Sequence, residues 1–147
     1  MEPLKIQVKY LCEQPPLAFT DDKSDWIDLR AAKDVYLIEG QSTLIPLGVA
    51  MKLPEGYEAH IAPRSSTFRR WGIIQTNSVG VIDESYCGDK DEWCMPVYCT
   101  VPSCYIQKGD RVCQFRIMPK MQGVTFEPCD HLSDTNRGGF GSTGVNR

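Results

Sequence analysis

The residues of this chain whose types and spacing are best suited to chemistry lie at 77–88, in the run Asn77-Ser78-Val79-Gly80-Val81-Ile82-Asp83-Glu84-Ser85-Tyr86-Cys87-Gly88. The β-branched residues Ile73, Ile74, Val79, Val81 and Ile82 predict a strand, and Asp83-Glu84-Ser85 predicts the polar turn that ends it, leaving a carboxylate at the mouth of a hairpin. Residues 97–101 suit the returning strand, so Asp83, Tyr86 and the backbone around Gly80 can line one slot between two arms. A flat base or sugar fits such a slot, with backbone groups at Gly80 reading a heterocycle edge and Tyr86 offering a ring face. The same pattern equally describes an ordinary surface hairpin with a solvated aspartate.

Four further polar clusters accompany it. Arg64-Ser65-Ser66 opens the one credible helix, 64–71, which Ser65 or Ser66 can cap and Gly72 can close; free amides and the helix dipole there favour an anion. A plain serine cap beside a solvated arginine is the competing reading. Gly109-Asp110-Arg111, with Gln114 beyond, reads as a turn entering a strand, and Asp28-Leu29 is unremarkable alone. The tail Arg137-Gly138-Gly139-Phe140-Gly141-Ser142-Thr143-Gly144 lacks the lysine of a P-loop, and no helix follows it, so in isolation it reads as a disordered terminus.

The elements that must position these residues are short strands. Leu4, Ile6, Val8 and Tyr10 alternate with polar residues as a half-buried first strand. Strand character returns at 28–32 and 35–38, and 43–51 reads as one edge or bulged strand interrupted by Pro46 and Gly48. Pro54-Glu55-Gly56 turns the chain into a strand at 57–62, and Lys108-Gly109-Asp110 turns it into 112–118, where Cys113, Phe115 and Ile117 share a face. Many short strands with turn signals about every eight to twelve residues, plus one small helix, predict an all-β sandwich or barrel.

Bulk properties narrow the class. A chain of 147 residues suggests one domain with a real core, and 24% charged residues beside 41% hydrophobic ones describe a globular rather than a disordered chain. The net charge of -3 argues against a binder of nucleic-acid backbone, so an anionic ligand would need locally concentrated positive charge: a few arginines, backbone amides and a divalent metal holding a small polyphosphate. No apolar run approaches the roughly 18 residues of a membrane span, and the N-terminal residues carry no apolar signal core, so a cytoplasmic protein is expected. The seven cysteines contain no Cys-x-x-Cys pair and read as small buried hydrophobes in a reducing compartment rather than as disulfides or a zinc site.

Taken in order, Asp28-Leu29, Pro63-Arg64-Ser65-Ser66, 77–88, Gly109-Asp110-Arg111 with Gln114, and 137–144 resemble the five ordered motifs of the trimeric deoxyuridine triphosphate nucleotidohydrolases, the dUTPases. The third and fifth are the most specific, an Asn-x-x-Gly-x-Ile-Asp-x-x-Tyr-x-Gly hairpin followed about fifty residues later by Arg-Gly-Gly-Phe-Gly-Ser-Thr-Gly. The resemblance implies a distorted jelly roll of the β-clip kind, assembled as a homotrimer with shared active sites. Residues 1–133 would form the barrel domain and 134–147 a flexible arm closing over a neighbouring subunit's site. It implies hydrolysis of dUTP to dUMP and pyrophosphate, which limits uracil incorporation into DNA and supplies dUMP for thymidylate synthesis. By the same resemblance Asp83 would activate water at the α-phosphorus and contact the 3′-hydroxyl, Tyr86 would pack on the sugar and exclude a 2′-hydroxyl, and Asn77 with the backbone near Gly80 and Ile82 would bind uracil. Arg64, Ser65, Ser66 and Gln114 would contact phosphates, with Arg64 counted among the catalytic groups. Asp28 would reach a Mg2+ ion through water, the ion otherwise resting on the triphosphate. From the arm, Arg137 would meet the γ-phosphate, Phe140 would stack on uracil, and Gly141, Ser142 and Thr143 would wrap the phosphates.

The chain departs from that pattern in places. Ser24-Asp25-Trp26-Ile27 replaces the usual small and aromatic residues before Asp28, Ser66 stands where glycine is common, and Asp89-Lys90-Asp91-Glu92 is inserted after Gly88, leaving Trp93, Cys94 and Met95 as alternatives for the residue facing the base. The nearest rival reading is a dCTP deaminase, or its bifunctional relative, with Glu84 beside the 4-amino group. A nucleotide-switched regulatory protein that uses the insertion to contact a partner is a second.

Overall fold

The computed structural model describes residues 2–142 and 144. Among them the chain folds into eleven strands and one helix, the all-β architecture expected, arranged as a distorted jelly roll. The strands are β1 Gln7–Tyr10, β2 Ile27–Arg30, β3 Val35–Ile38, β4 Ser42–Pro46, β5 Val49–Lys52, β6 Tyr57–Pro63, β7 Ile73–Gln75, β8 Gly80–Ile82, β9 Cys94–Cys99, β10 Ser103–Ile106 and β11 Arg111–Pro119, with α1 Thr67–Trp71 between β6 and β7. They pair antiparallel in four small sheets ordered β2-β11-β6-β8, β4-β9-β7, β1-β5 and β10-β3.

Alternation along the two larger sheets builds the core. Leu29 on β2, Cys113 and Phe115 on β11, and Ala59 and Ile61 on β6 are buried, as are Ile45, Met95, Val97, Cys99 and Ile73 from the other sheet. Trp93, fully buried, meets the Phe115 ring edge-on with centroids 5.2 Å apart. Each such large apolar side chain contributes about 1.5–3 kcal/mol by leaving water.

Several local expectations are corrected. The returning strand at 97–101 does not pair with the strand entering Asp83: Val97 to Cys99 pair with Gln75 to Ile73 on β7, whereas Gly80 and Ile82 pair with Ile61 and Ala59 on β6. A turn at 76–79, with Ser78 at φ 62, separates β7 from β8 and moves the chain from one sheet to the other. The strand expected over 43–51 divides at Leu47-Gly48, where Gly48 adopts φ +71, so that β4 and β5 join different sheets. The first strand spans only Gln7–Tyr10 and is mostly exposed, with Ile6 and Val8 alone touching the core. Helix α1 starts at Thr67; Ser66 occupies the N-cap without a side-chain cap bond, because it sits in the right-handed helical region. Thr67 does the tethering instead, its hydroxyl accepting from Arg64 N at 2.9 Å and donating to Val112 O at 2.9 Å. Gly72 closes the helix in the left-handed conformation as expected, donating to Phe68 O.

Beyond Pro119 the described residues form no strand or helix and are exposed, including Met121, Phe126 and Leu132. No helix among the described residues is long and apolar enough to cross a membrane.

Candidate active site

The predicted site residues gather into two separate groups. The first stands at the end of β6, beside β11 and, one strand beyond, β2. Asp28 on β2 lies opposite Gln114 on β11. Its carboxylate, only 13% exposed, receives Arg64 Nε at 3.0 Å on one oxygen, and Arg111 Nη1 at 3.3 Å and the Thr20 hydroxyl at 3.2 Å on the other. Arg64 also donates Nη1 to Arg111 O at 3.3 Å, and Gln114 donates Nε2 to Pro63 O at 3.1 Å. The turn before β11 is fastened to β2 by Ala31 N to Asp110 O, Gly109 N to Ala31 O and Arg30 Nη1 to Gly109 O. Gly109 adopts φ +93, which glycine accepts freely.

Arg30, Arg64, Arg70 and Arg111 thereby line one recess of about 150 Å³ with Trp71, Gly109 and Asp110. Four guanidinium groups beside two carboxylates, Asp28 shared by Arg64 and Arg111 and Asp110 at the rim, leave an excess of positive charge in a net-acidic chain, the local concentration that a polyphosphate requires. The amides of Ser65 and Ser66 face no backbone acceptor among the described residues and add donors at the same corner.

The second group forms where β8 ends. A cleft of about 330 Å³ is lined by Leu44, Val81, Ile82, Asp83, Tyr86, Glu92 and Cys94. The Asp83 carboxylate accepts from the Ser85 hydroxyl and from Ser85 N at 2.8 Å, and these bonds hold its carboxyl below the usual carboxylate range, so it stays ionised. Tyr86 donates its hydroxyl to Glu92 O at 2.8 Å; burial, then the neighbouring Cys94, Asp91 and Glu92, push its phenol up, so it remains a donor. Of the three return-strand candidates, Cys94 lines the cleft, while Trp93 and Met95 are buried in the core.

Glu84 points away from this cleft's chemistry. Lys120 Nζ lies 2.7 Å from one of its oxygens and Gly56 N 2.8 Å from the other; the ammonium foremost, then the amide, hold Glu84 below its ordinary range. A carboxyl so held is a poor proton donor at neutral pH.

Asn77 is not a wall of the cleft but stands beside Gly80, where its amide nitrogen would lie 3.4 Å from a Cβ placed on that glycine. Its orientation depends on Gln75, which sequence reasoning missed. Gln75 is buried and donates Nε2 to Ile61 O at 3.0 Å, to Asn77 Oδ1 at 2.9 Å and, weakly, to Ser78 O at 3.4 Å. Carbonyl oxygens only accept, so Ile61 O fixes which end of the Gln75 amide is nitrogen, and Gln75 in turn fixes Asn77 with its NH2 turned outward as a donor. A glutamine among β-branched residues just before a turn was the available signal; a polar side chain at a core-facing strand position needs a partner.

The two groups do not meet within the chain. Ile82 pairs with Ala59, so Asp83 follows at the level of Glu58, whereas Arg64 lies six residues farther along the same strand line, roughly 20 Å at about 3.3 Å per residue. The arm meets neither: Arg137, Phe140, Gly141 and Ser142 are exposed, and among the described residues the arm's backbone bonds, such as Ser142 N to Gly139 O, are internal. Thr143 lies outside the described residues.

Comparison with known proteins agrees with these motifs. The dUTPase family profile matches residues 23–144. The chain is 55% identical over 142 residues to the SPbeta prophage-derived deoxyuridine 5'-triphosphate nucleotidohydrolase of Bacillus subtilis strain 168, covering 97% of this chain and 99% of that protein. It is 37% identical to the deoxyuridine 5'-triphosphate nucleotidohydrolase of Finegoldia magna over 146 residues, covering 96% and 99%. Among solved structures, a mutant of the Staphylococcus bacteriophage 80alpha dUTPase with dUpNHpp superposes with a TM-score of 0.77 at 22% identity, covering 96% of this chain and 99% of that one. The Streptococcus mutans dUTPase superposes at 0.72 with 23% identity, covering 80% and 98%. With its ordered motifs, its jelly-roll sheets and these relatives, the chain belongs to the dUTPase family.

Proposed function

We propose that this chain hydrolyses dUTP to dUMP and pyrophosphate by attack of water on the α-phosphorus, in a cytoplasmic homotrimer whose sites are each shared between subunits. The observation that carries the reading is the separation of its two half-sites. An arginine-rich recess suited to phosphates and an aspartate–tyrosine cleft suited to a nucleoside stand roughly 20 Å apart on one strand line, too far for one chain to use both on one small substrate. A neighbouring copy that brings its recess to this cleft completes the site, as in other symmetric assemblies whose subunits present two different patches to each other.

Within such a site Asp83, kept ionised by Ser85, holds the attacking water and accepts its proton as the oxygen bonds to the α-phosphorus and the P–O bond to pyrophosphate breaks. Tyr86 covers the sugar. Asn77, turned by Gln75 to present its NH2, suits an acceptor such as a uracil carbonyl and opposes the amino edge of cytosine. Arg64, Ser65, Ser66 and Gln114 hold the phosphates. Asp28 is already engaged by two arginines and a threonine, and no cluster of three acidic, histidine or cysteine ligands occurs among the described residues; that donor set fits an outer-sphere contact rather than a metal cage. A Mg2+ ion brought on the triphosphate would supply charge neutralisation there. The barrel at 1–133 and the glycine-rich arm at 134–147 divide the work, the arm closing with Arg137, Phe140, Gly141, Ser142 and Thr143 over the substrate.

A deaminase is disfavoured by Glu84, whose two oxygens are taken by Lys120 and Gly56. Incubation with each deoxynucleoside triphosphate and with UTP, plus Mg2+, tests the reading. It predicts pyrophosphate from dUTP alone, a loss of about 10²–10⁴ in turnover for Asp83→Asn, and a greater loss of turnover than of folding on removal of residues 137–147. Ammonia released from dCTP would overturn it.

A further inference from the structure

The insertion at 89–92 is a built brace rather than a loose loop. Gly88 N donates to Asp91 Oδ2 at 2.8 Å and Asp91 N returns to Gly88 O at 3.1 Å, closing the insertion on itself. Its last residue reaches in two directions. The Glu92 carboxylate accepts from Gly48 N at 2.8 Å, and the Glu92 carbonyl accepts the Tyr86 hydroxyl at 2.8 Å. The anchor is firm: Gly48 sits at φ +71 with Cys12 Sγ only 2.5 Å from where a Cβ would be, and Gln14 Nε2 donates to Gly48 O at 3.1 Å. Trp93, next in sequence, is fully buried and bonded to both sides of that corner, through Leu47 N to Trp93 O and Trp93 N to Val49 O. Tyr86, by contrast, is 39% exposed, so packing holds its ring only in part.

We infer that Glu92 is a specificity-determining positioning residue: by tying the insertion to Gly48 it holds the Tyr86 hydroxyl, and with it the ring, where a ribose 2′-hydroxyl has no room. The inference rests on the dUTP reading above. Glu92 borders the same cleft as Asp83 and Tyr86, so the brace acts at the wall of the site. A ring released from its carbonyl moves aside at little cost and admits the ribonucleotide, while dUTP, which needs no exclusion, loses less.

The test is kcat/KM for dUTP and for UTP in the full chain, with melting temperatures measured in parallel. Tyr86→Phe removes the hold outright, and Glu92→Ala, which keeps the carbonyl but cuts its tie to Gly48, loosens it; each should raise the UTP-to-dUTP ratio, by up to about five- to tenfold, the effect of one lost hydrogen bond. Their double variant should show little more than either alone, because both break one linkage. Glu92→Gln keeps an acceptor for Gly48 N and should stay near wild type. A folded Glu92→Ala with the wild-type ratio, or effects that simply multiply in the double variant, overturns the inference and leaves the dUTP reading standing. Should Glu92→Ala not fold, Tyr86→Phe decides alone, since it leaves the brace in place: an unchanged ratio refutes the idea. A wild-type protein that turns over neither nucleotide removes both readings.

Discussion

Mixing two inactive variants, Arg64→Ala and Asp83→Asn, tests the shared site directly. Asp83 follows Ile82, which pairs with Ala59, so the aspartate lies level with position 58 while Arg64 directly follows the far end of the same strand. Six strand residues at about 3.3 Å separate them by roughly 20 Å, against the ~3 Å reach of a group that touches reacting atoms. Each variant alone removes one half of every site. In a mixed trimer, a site is whole when an Arg64→Ala subunit contributes Asp83 and its neighbour, an Asp83→Asn subunit, contributes Arg64. A trimer that holds both variants, in either ratio, has three ordered interfaces, and one of them sets the Asp83 of an Arg64→Ala subunit against the Arg64 of an Asp83→Asn subunit, so about one site in three is restored. The assay is co-refolding of differently tagged variants, recovery of mixed trimers by sequential affinity steps, and pyrophosphate release from dUTP at saturating substrate. Activity near a third of wild type is expected. Mixed trimers no more active than the two parents added together would refute the shared arrangement and return both half-sites to one chain.

Two further outcomes follow from side chains around the cleft. Gln75→Met keeps the volume but leaves Ile61 O and the Asn77 amide without their donor, so denaturant unfolding should show a loss of about 1–3 kcal/mol, and the preference for dUTP over dCTP should fall. In Ser85→Ala the foremost cause of the low Asp83 pKa is gone. Hydrogen bonds donated to the carboxylate favour its ionised form, so removing one raises the pKa, and the acid limb of the kcat/KM–pH profile should move to higher pH; an unmoved limb would mean that Asp83 does not set it.

Much of this was legible in the chain because it depends on local chemistry. Pro54-Glu55-Gly56 turns wherever it is placed, Gly72 ends a helix because it accepts the left-handed region, and alternation at Cys113 and Phe115 marks a buried face. The five motifs likewise stand in sequence order, so their residues were named before their positions were known. Misreadings fell where a residue's partner is distant. Residues 97–101 look like the return of the Asp83 hairpin because they follow it, yet β7 takes that place and β8 crosses to β6. Ser66 looks like a cap, but Thr67, tied to Val112 from far along the chain, holds the corner instead.

What the sequence by itself determined is therefore the list of reactive groups and the all-β class, since both follow from residue type and short-range spacing. Tertiary structure alone decided which groups stand together: Asp28 with Arg64 and Arg111, Asp83 with Tyr86 and Glu92, and Gln75 as the hidden setter of Asn77. Strand pairing is non-local, and a hydrogen bond between residues dozens of positions apart leaves no periodic trace in the chain that makes it.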